Sequence, residues 1–496
     1  MILLGFDVGS SSIKAALVDA ESGAIIARAQ YPDREMEIES PHAGWAEQNP
    51  ELWWDCIVKL TRQLLHQYSI EPDSIKAIGI SYQMHGLVLV DENLNCLRPS
   101  IIWCDSRAVE IGDKAFARIG QAESLRRMLN SPGNFTASKL RWVREQEPEL
   151  YKKIKYFMLP GDYIAMKMTG EPATTVSGLS EGILWDFLEQ EPSRIVLQEY
   201  DIAPDLIPPT VPTFGNQGTL SDAAAAELGL KAGTSVAYRA GDQPNNAMSL
   251  NVLEPGEVAA TGGTSGVVYA LADRPIFDPL SRVNGFAHVN YSNAQPNIGV
   301  LMCINGAGIT YNWLRQQTGN ASISYADLEQ HASKAPVGAG GVSMLPFGNG
   351  AERIFSNQDI GAHVSGLRFN THNQSHLLRA GIEGMAFAFV YGINILKGMG
   401  LSLNVMRAGN DNLFQSKIFS ETIATLSGSR IEVLEATGAI GAAKAAGYGA
   451  GIYKSLREAL GQTKVVNTHL PLSTTDAYQE AYERWTQYLN HHLKTS

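Results

Sequence analysis

The chain of 496 residues has little cysteine. Cys56, Cys96, Cys104 and Cys303 are scattered and form no Cys-x-x-Cys pair. That excludes a disulfide framework and a cysteine-based zinc site, and it fits a reducing compartment. Positive charge is scarce as well. Lys plus Arg number 39 against 50 Asp plus Glu, a formal net charge of −11. This balance argues against a nucleic-acid or anionic-membrane surface as partner. An anionic ligand would have to be held by backbone N–H groups and a metal ion. No apolar run approaches the roughly 18 residues that a membrane span needs. The apolar start at residues 1–4 has no basic flank and soon meets Asp7, so it reads as a strand and not as a signal peptide. The expected setting is soluble and cytoplasmic.

Apolar residues are plentiful at 44%, with 18% charged, which is a globular composition. At roughly 100–200 residues per domain, the length predicts two to four domains. Glycine is in excess at 47, where average usage would give about 35. Without low complexity, that excess points to tight turns and close backbone approach to ligands.

Short apolar runs separated by Gly/Ser/Asp clusters predict strands at 2–6, 13–18 and 24–29, around the turn Asp7-Val8-Gly9-Ser10-Ser11-Ser12. Helical spacing of Leu, Ile and Val, with Pro50 at the start, predicts a helix over 50–68. A strand over 74–81 leads into Gln83-Met84-His85-Gly86. The second half repeats the opening theme: strand 258–261, turn Gly262-Gly263-Thr264-Ser265-Gly266, strand 267–271. One repetition at so long a period suits a duplicated domain and not a solenoid. Between the halves, strand 235–240 ends at Gly241-Asp242, and Asn, Pro and Gly crowd 242–257. The expected class is α/β, with an N-terminal domain over 1–245 and a C-terminal domain over 246–496. Late in the chain the pattern predicts helices at 375–397, 416–427 and 437–450 and a strand from 406 running into a polar turn by 412. The small residues of 437–450 suit either an interdomain or nucleotide-facing surface or ordinary tight packing.

Several residues are candidates for chemistry. The turn after Asp7 can present backbone N–H groups and hydroxyls to a phosphate, and Asp7 itself can hold a hydrated Mg²⁺. Paired with the Gly263–Ser265 turn, it suggests two grips on one polyphosphate. Asp242 ends a strand at the domain junction, where a carboxylate can accept a proton from a hydroxyl nucleophile; a helix cap is its ordinary alternative. A lone histidine such as His85 is more often a satisfied structural residue than a ligand. Asp105 and Arg107 could hydrogen-bond a polyol or simply pair with each other. Trp53-Trp54 offers aromatic surface, or core if helical.

Taken in order, these motifs resemble the FGGY carbohydrate kinases over nearly the whole chain, from Asp7 to about Gly447. Asp7-Val8-Gly9-Ser10-Ser11 is similar to the family's first phosphate loop. Gly44-Trp45-Ala46-Glu47-Gln48 with Pro50 and Trp53-Trp54 is similar to its WxEQxPxxWW stretch. Gln83-Met84-His85-Gly86 matches the turn that marks its xylulokinases, Trp103-x-Asp105-x-Arg107 its WxDxR motif, and Gly263-Thr264-Ser265-Gly266 its second phosphate loop. The chain departs from the pattern at Gly241-Asp242-Gln243, at Gly350–Phe355 and at Ala408-Gly409-Asn410-Asp411-Asn412. The resemblance implies two ribonuclease-H-like domains of the actin and hexokinase type, with the active site in the cleft between them. It implies an ATP-dependent kinase of D-xylulose, acting at the 5-hydroxyl, with another ketose or polyol, or a non-catalytic actin-like switch, as alternatives. Asp242 would be the base. Met84, His85, Trp103, Asp105, Asp242 and Gln243 would bound the sugar. Gly9, Ser10, Ser11, Gly263, Thr264, Ser265, Gly306, Gly409, Asn410 and Asn412 would hold ATP, and Asp7 Mg²⁺. The partners implied are a small sugar and ATP, with a homodimer as the assembly.

Overall fold

The computed structural model describes residues 1–318, 323–461 and 463–495. The described residues form two compact units. Unit 1 takes in Met1–Asn251, Gly285–Ile298 and the stretch that begins at Ala436. Unit 2 takes in Val252–Asn284, the stretch Gly299–Glu435 and the residues from Thr463.

Unit 1 is built on a five-stranded sheet of β1 (Ile2–Val8), β2 (Ile13–Asp19), β3 (Ile25–Tyr31), β4 (Ile75–Tyr82) and β5 (Ser235–Gly241), in the order β5-β4-β1-β2-β3. β1 to β3 are an antiparallel meander. β4 runs parallel to β1, and β5 parallel to β4. The apolar run of β4 is buried almost throughout, as expected of a parallel strand covered on both faces. α1 (Pro50–Gln67) starts on Pro50, with the Asn49 carboxamide accepting from the Glu51 N–H at 3.1 Å. It buries Trp53, Ile57, Leu60 and Leu64 at helical spacing. Trp53 and Trp54 are core residues.

The small-residue helix Gly438–Gly449 belongs to unit 1 and lies on β1, β4 and β5. Its backbone comes so close that a Cβ on Gly5 would overlap the Ala439 carbonyl, and one on Gly79 the Ala442 carbonyl. The absence of side chains is what lets helix and sheet backbones meet. Gly79→Ala is therefore expected to lower stability by about 1–3 kcal/mol, the usual cost of overpacking, in denaturant unfolding. Two further helices position the site, α2 (Thr136–Gln146) and α3 (Asp242–Ser249). α3 opens the stretch whose composition marks a break. Its Pro244 sits in the first turn, where a backbone donor is not needed.

Unit 2 repeats the plan. β6 (Glu257–Gly262) and β7 (Gly266–Ala272) form an antiparallel hairpin, and Val405–Gly409 and Arg430–Leu434 follow in parallel beside β6. The strands that unit 2 contributes to its sheet run in the order Ile298–Ile304, β7, β6, Val405–Gly409, Arg430–Leu434, Val465–His469. Numbering the five strands of the first sheet, and the first five just given for the second, along the chain gives the same order, third-second-first-fourth-fifth. That is the physical form of the duplicated strand–turn–strand theme. The long buried helix Gln374–Gly398 packs on β7, and α4 (Gly308–Thr318) packs on that helix. Among the described residues, no helix is long and apolar enough to cross a membrane.

Candidate functional site

In unit 1, three neighbouring parallel strands end side by side. β5 delivers Asp242, β4 the Gln83–Gly86 turn, and β1 Asp7. Ligands of α/β folds bind beyond such carboxyl ends. Asp242 is the first residue of α3, directly after Gly241. Burial, and then the charge of Asp7, push its carboxyl up to about 7, against the opposing hydrogen bonds from Gln243. Asp7 accepts from the Ser81 hydroxyl at 2.8 Å, across the β1–β4 register that sets the two residues opposite each other. A Cβ on Gly438 would lie 2.8 Å from the Asp7 carboxylate, so the small N-terminus of the Gly438–Gly449 helix leaves room for it.

Met84 is buried, and a Cβ on Gly241 would lie 2.5 Å from both Met84 Cγ and Glu181 Oε2. Glycine there leaves room for both side chains beside Asp242. His85 holds a left-handed backbone, φ +62°, an uncommon state for a residue with a Cβ. Its Nδ1 lies 3.0 Å from the Glu181 carbonyl, and Phe135 meets the ring edge-on at 4.7 Å. Glu181 is a functional candidate that sequence reasoning misses. Its carboxyl is buried and raised well above the usual carboxylate range, by burial first and by the Asp242 charge second. No motif around residue 181 signals it.

The turn after β1 is braced from behind. The Ser10 carbonyl accepts from the Gln48 amide at 2.7 Å, that of Ser11 from Met36 N at 2.8 Å, and that of Ser12 from Gly9 N at 3.2 Å. Gln48 is itself buried, and its Oε1 accepts from Trp53 Nε1 at 3.1 Å. The Trp103 indole, 54% exposed, donates to Ser10 Oγ at 3.3 Å. Asp105 is fully buried. It accepts from Ala46 N at 2.6 Å and from Arg107 Nη2 at 2.6 Å. Arg107 lies over the Trp45 ring at 3.8 Å and pairs with Glu47 at 2.6 Å. Of the two sequence alternatives for Asp105 and Arg107, the structure has the pair. These side chains join the 44–48 and 103–107 motifs into one support, and Trp103 is the large apolar side chain that support exposes.

In unit 2 the Gly263–Ser265 turn joins β6 to β7. The first residues of α4 hold it: Gly308 N donates to the Gly263 carbonyl at 3.0 Å and Ile309 N to that of Thr264 at 3.1 Å. Gly263, Thr264, Gly308, Ile309, Tyr311, Asn312, Tyr325, Leu413 and Gln415 line a cavity of about 460 Å³. Gly306 is buried behind it, with its N–H donating to Glu352 at 3.0 Å. Gly409 ends its strand, and Asn410 N donates to the Leu434 carbonyl at 2.9 Å. Asn412 begins a short 3-10 turn, and its side chain lies outside the described residues. Sequence reading misses Tyr311, Asn312, Tyr325 and Gln415. The available signal was the spacing of Gly308, Tyr311 and Asn312 on one helix face.

The models of the FGGY family of carbohydrate kinases match the chain in two pieces, the N-terminal domain over residues 2–249 and the C-terminal domain over 258–450. The xylulose kinase of Escherichia coli K12 is 30% identical, over 94% of this chain and 94% of its own. The L-xylulose/3-keto-L-gulonate kinase of the same organism is 29% identical, over 97% and 95%. The crystal structure of xylulose kinase from Rhodospirillum rubrum superposes with a TM-score of 0.88 at 25% identity, covering 99% of each chain.

Proposed function

Because the chain belongs to the FGGY family of carbohydrate kinases, we propose that it transfers the terminal phosphoryl group of ATP to the 5-hydroxyl of D-xylulose. The observation that carries this reading is Asp242, a carboxylate raised to about 7 that stands beside the Gln83–Gly86 turn at the ends of three parallel strands. Asp242 takes the hydroxyl proton as the oxygen attacks phosphorus. Met84, His85, Gln243 and the exposed face of Trp103 bound the sugar, and Asp105 fixes the turn that carries Trp103. The cavity of unit 2 takes the nucleotide, with Gly263, Thr264 and Ser265 at its phosphates and Gly306, Gly409, Asn410 and Asn412 supporting its walls. Gly9, Ser10 and Ser11 form the other phosphate turn. Asp7 fits Mg²⁺: its charge reaches Asp242, and a cation there relieves the repulsion between two carboxylates. When bound, Mg²⁺ supplies charge neutralisation to the phosphates. Chelating it should abolish turnover in an ATP-coupled assay, and added Mg²⁺ should restore it.

Asp242 acts as a base only when ionised, so activity should be lost as the pH falls. The kcat/KM for sugar should drop about tenfold per pH unit on an acid limb at about 7, or below it where a cation on Asp7 offsets the Asp7 charge. A pH profile that is flat from 5 to 8 contradicts the assignment.

The similarity to the L-xylulose/3-keto-L-gulonate kinase supports a second reading, in which the acceptor is an L-ketose. Initial rates with ATP and D-xylulose, L-xylulose, D-ribulose or glycerol separate the two. D-xylulose should have the highest kcat/KM. A higher value for another acceptor keeps the kinase and changes its substrate.

A further inference from the structure

We infer that Lys139 is a positioning residue for sugar recognition, because its ammonium joins the Gln83–Gly86 turn to the Trp103–Arg107 turn. The inference rests on the reading of those turns as the sugar side. Lys139 lies on α2 and is fully buried. Its Nζ donates to the His85 carbonyl at 2.9 Å and to the Ile102 carbonyl at 2.9 Å, one acceptor from each turn region. The rest of the same helix face follows suit. Thr136, one turn before, donates to the Gly86 carbonyl at 3.4 Å. Trp142, one turn after, lies under the Arg107 guanidinium at 4.7 Å.

A buried ammonium is costly unless compensated. Burial pulls this one down to about 7, with the Asp105 charge opposing. Packing alone would be served by Met or Leu. What the lysine adds is two donors to two carbonyls, one of them on His85, the residue with the left-handed backbone. Removing that tie lets the turns move independently, so the sugar is met by surfaces no longer held in register.

The test is Lys139→Met in the full chain, with initial rates measured against each substrate in turn. The KM for D-xylulose should rise by at least ~10-fold, as for loss of a supporting hydrogen-bonded partner, while the KM for ATP stays within about twofold. The preference for D- over L-xylulose should narrow, since discrimination depends on fixed polar partners. An unchanged sugar KM, or equal rises in both KM values, overturns the inference. If Lys139→Met does not fold, Lys139→Leu, which likewise carries no donor, is read by the same split. If the wild-type chain prefers another ketose, that sugar replaces D-xylulose and the prediction for Lys139 stands or falls on it. If it phosphorylates none, the proposed function fails, and Lys139 is judged by hydrogen exchange: Lys139→Met must speed exchange at 83–86 and 102–107 together, and exchange that rises at one segment alone contradicts the tie.

Discussion

Asp242→Asn should lower kcat by at least about 10²-fold, the low end for removal of a general base, while the KM for sugar changes little. Asn keeps the size of the side chain and its place at the start of α3, so the fold should survive. What it loses is the ability to take a proton. The substitution also removes a charge that holds the Glu181 carboxyl above its usual range. The variant should therefore be at least as stable as the parent in thermal unfolding at neutral pH, where one of two mutually repelling acids is gone. Low activity in a fully folded, sugar-binding protein is the signature expected. Near-normal turnover would remove Asp242 from the mechanism.

The second large effect is expected at Gly263. A Cβ built there meets nothing closer than the Ser265 carbonyl at 3.8 Å, so the protein has room for a side chain. Gly263 lines the cavity of unit 2. Gly263→Val should leave folding intact, raise the KM for ATP by at least ~10-fold and lower kcat, because the side chain stands where phosphate oxygens approach the backbone. Gly308 makes a useful contrast. A Cβ there would overlap the Gly263 carbonyl. Gly308→Val should damage stability as well as activity, so the pair separates a ligand effect from a packing effect. Steady-state kinetics and thermal unfolding of both variants provide the check. Unchanged ATP kinetics in Gly263→Val would take the turn out of nucleotide binding.

Local pattern made the strand–turn–strand openings of both units legible, because Gly and Ser punctuate short apolar runs whose register then follows. It also carried the helix that buries Trp53. What it left open were matters of distance along the chain. The small residues of Gly438–Gly449 announce close packing, but nothing local says that they meet Gly5 and Gly79, more than 350 residues away. Asp105 and Arg107 were ambiguous between a polyol and each other until burial of the pair among Ala46, Glu47 and Trp45 decided it. Lys139 and Glu181 were invisible for the same reason. An ionisable residue in a helix reads as a solvated face, and only the tertiary structure turns it inward. The cavity of unit 2 draws Asn312, Tyr325 and Gln415 from three separate elements, so no single window of sequence contains it.

The most direct test of the central claim is the identity of the product. The wild-type chain is incubated with Mg²⁺, ATP and D-xylulose, and the sugar is examined by ³¹P-coupled NMR to locate the new phosphoester. The account predicts D-xylulose carrying phosphate on O5, formed in step with ADP and at least about 10²-fold more slowly when Asp242→Asn replaces the wild type. ADP and inorganic phosphate without phosphorylated sugar, or phosphate on another hydroxyl, would contradict it.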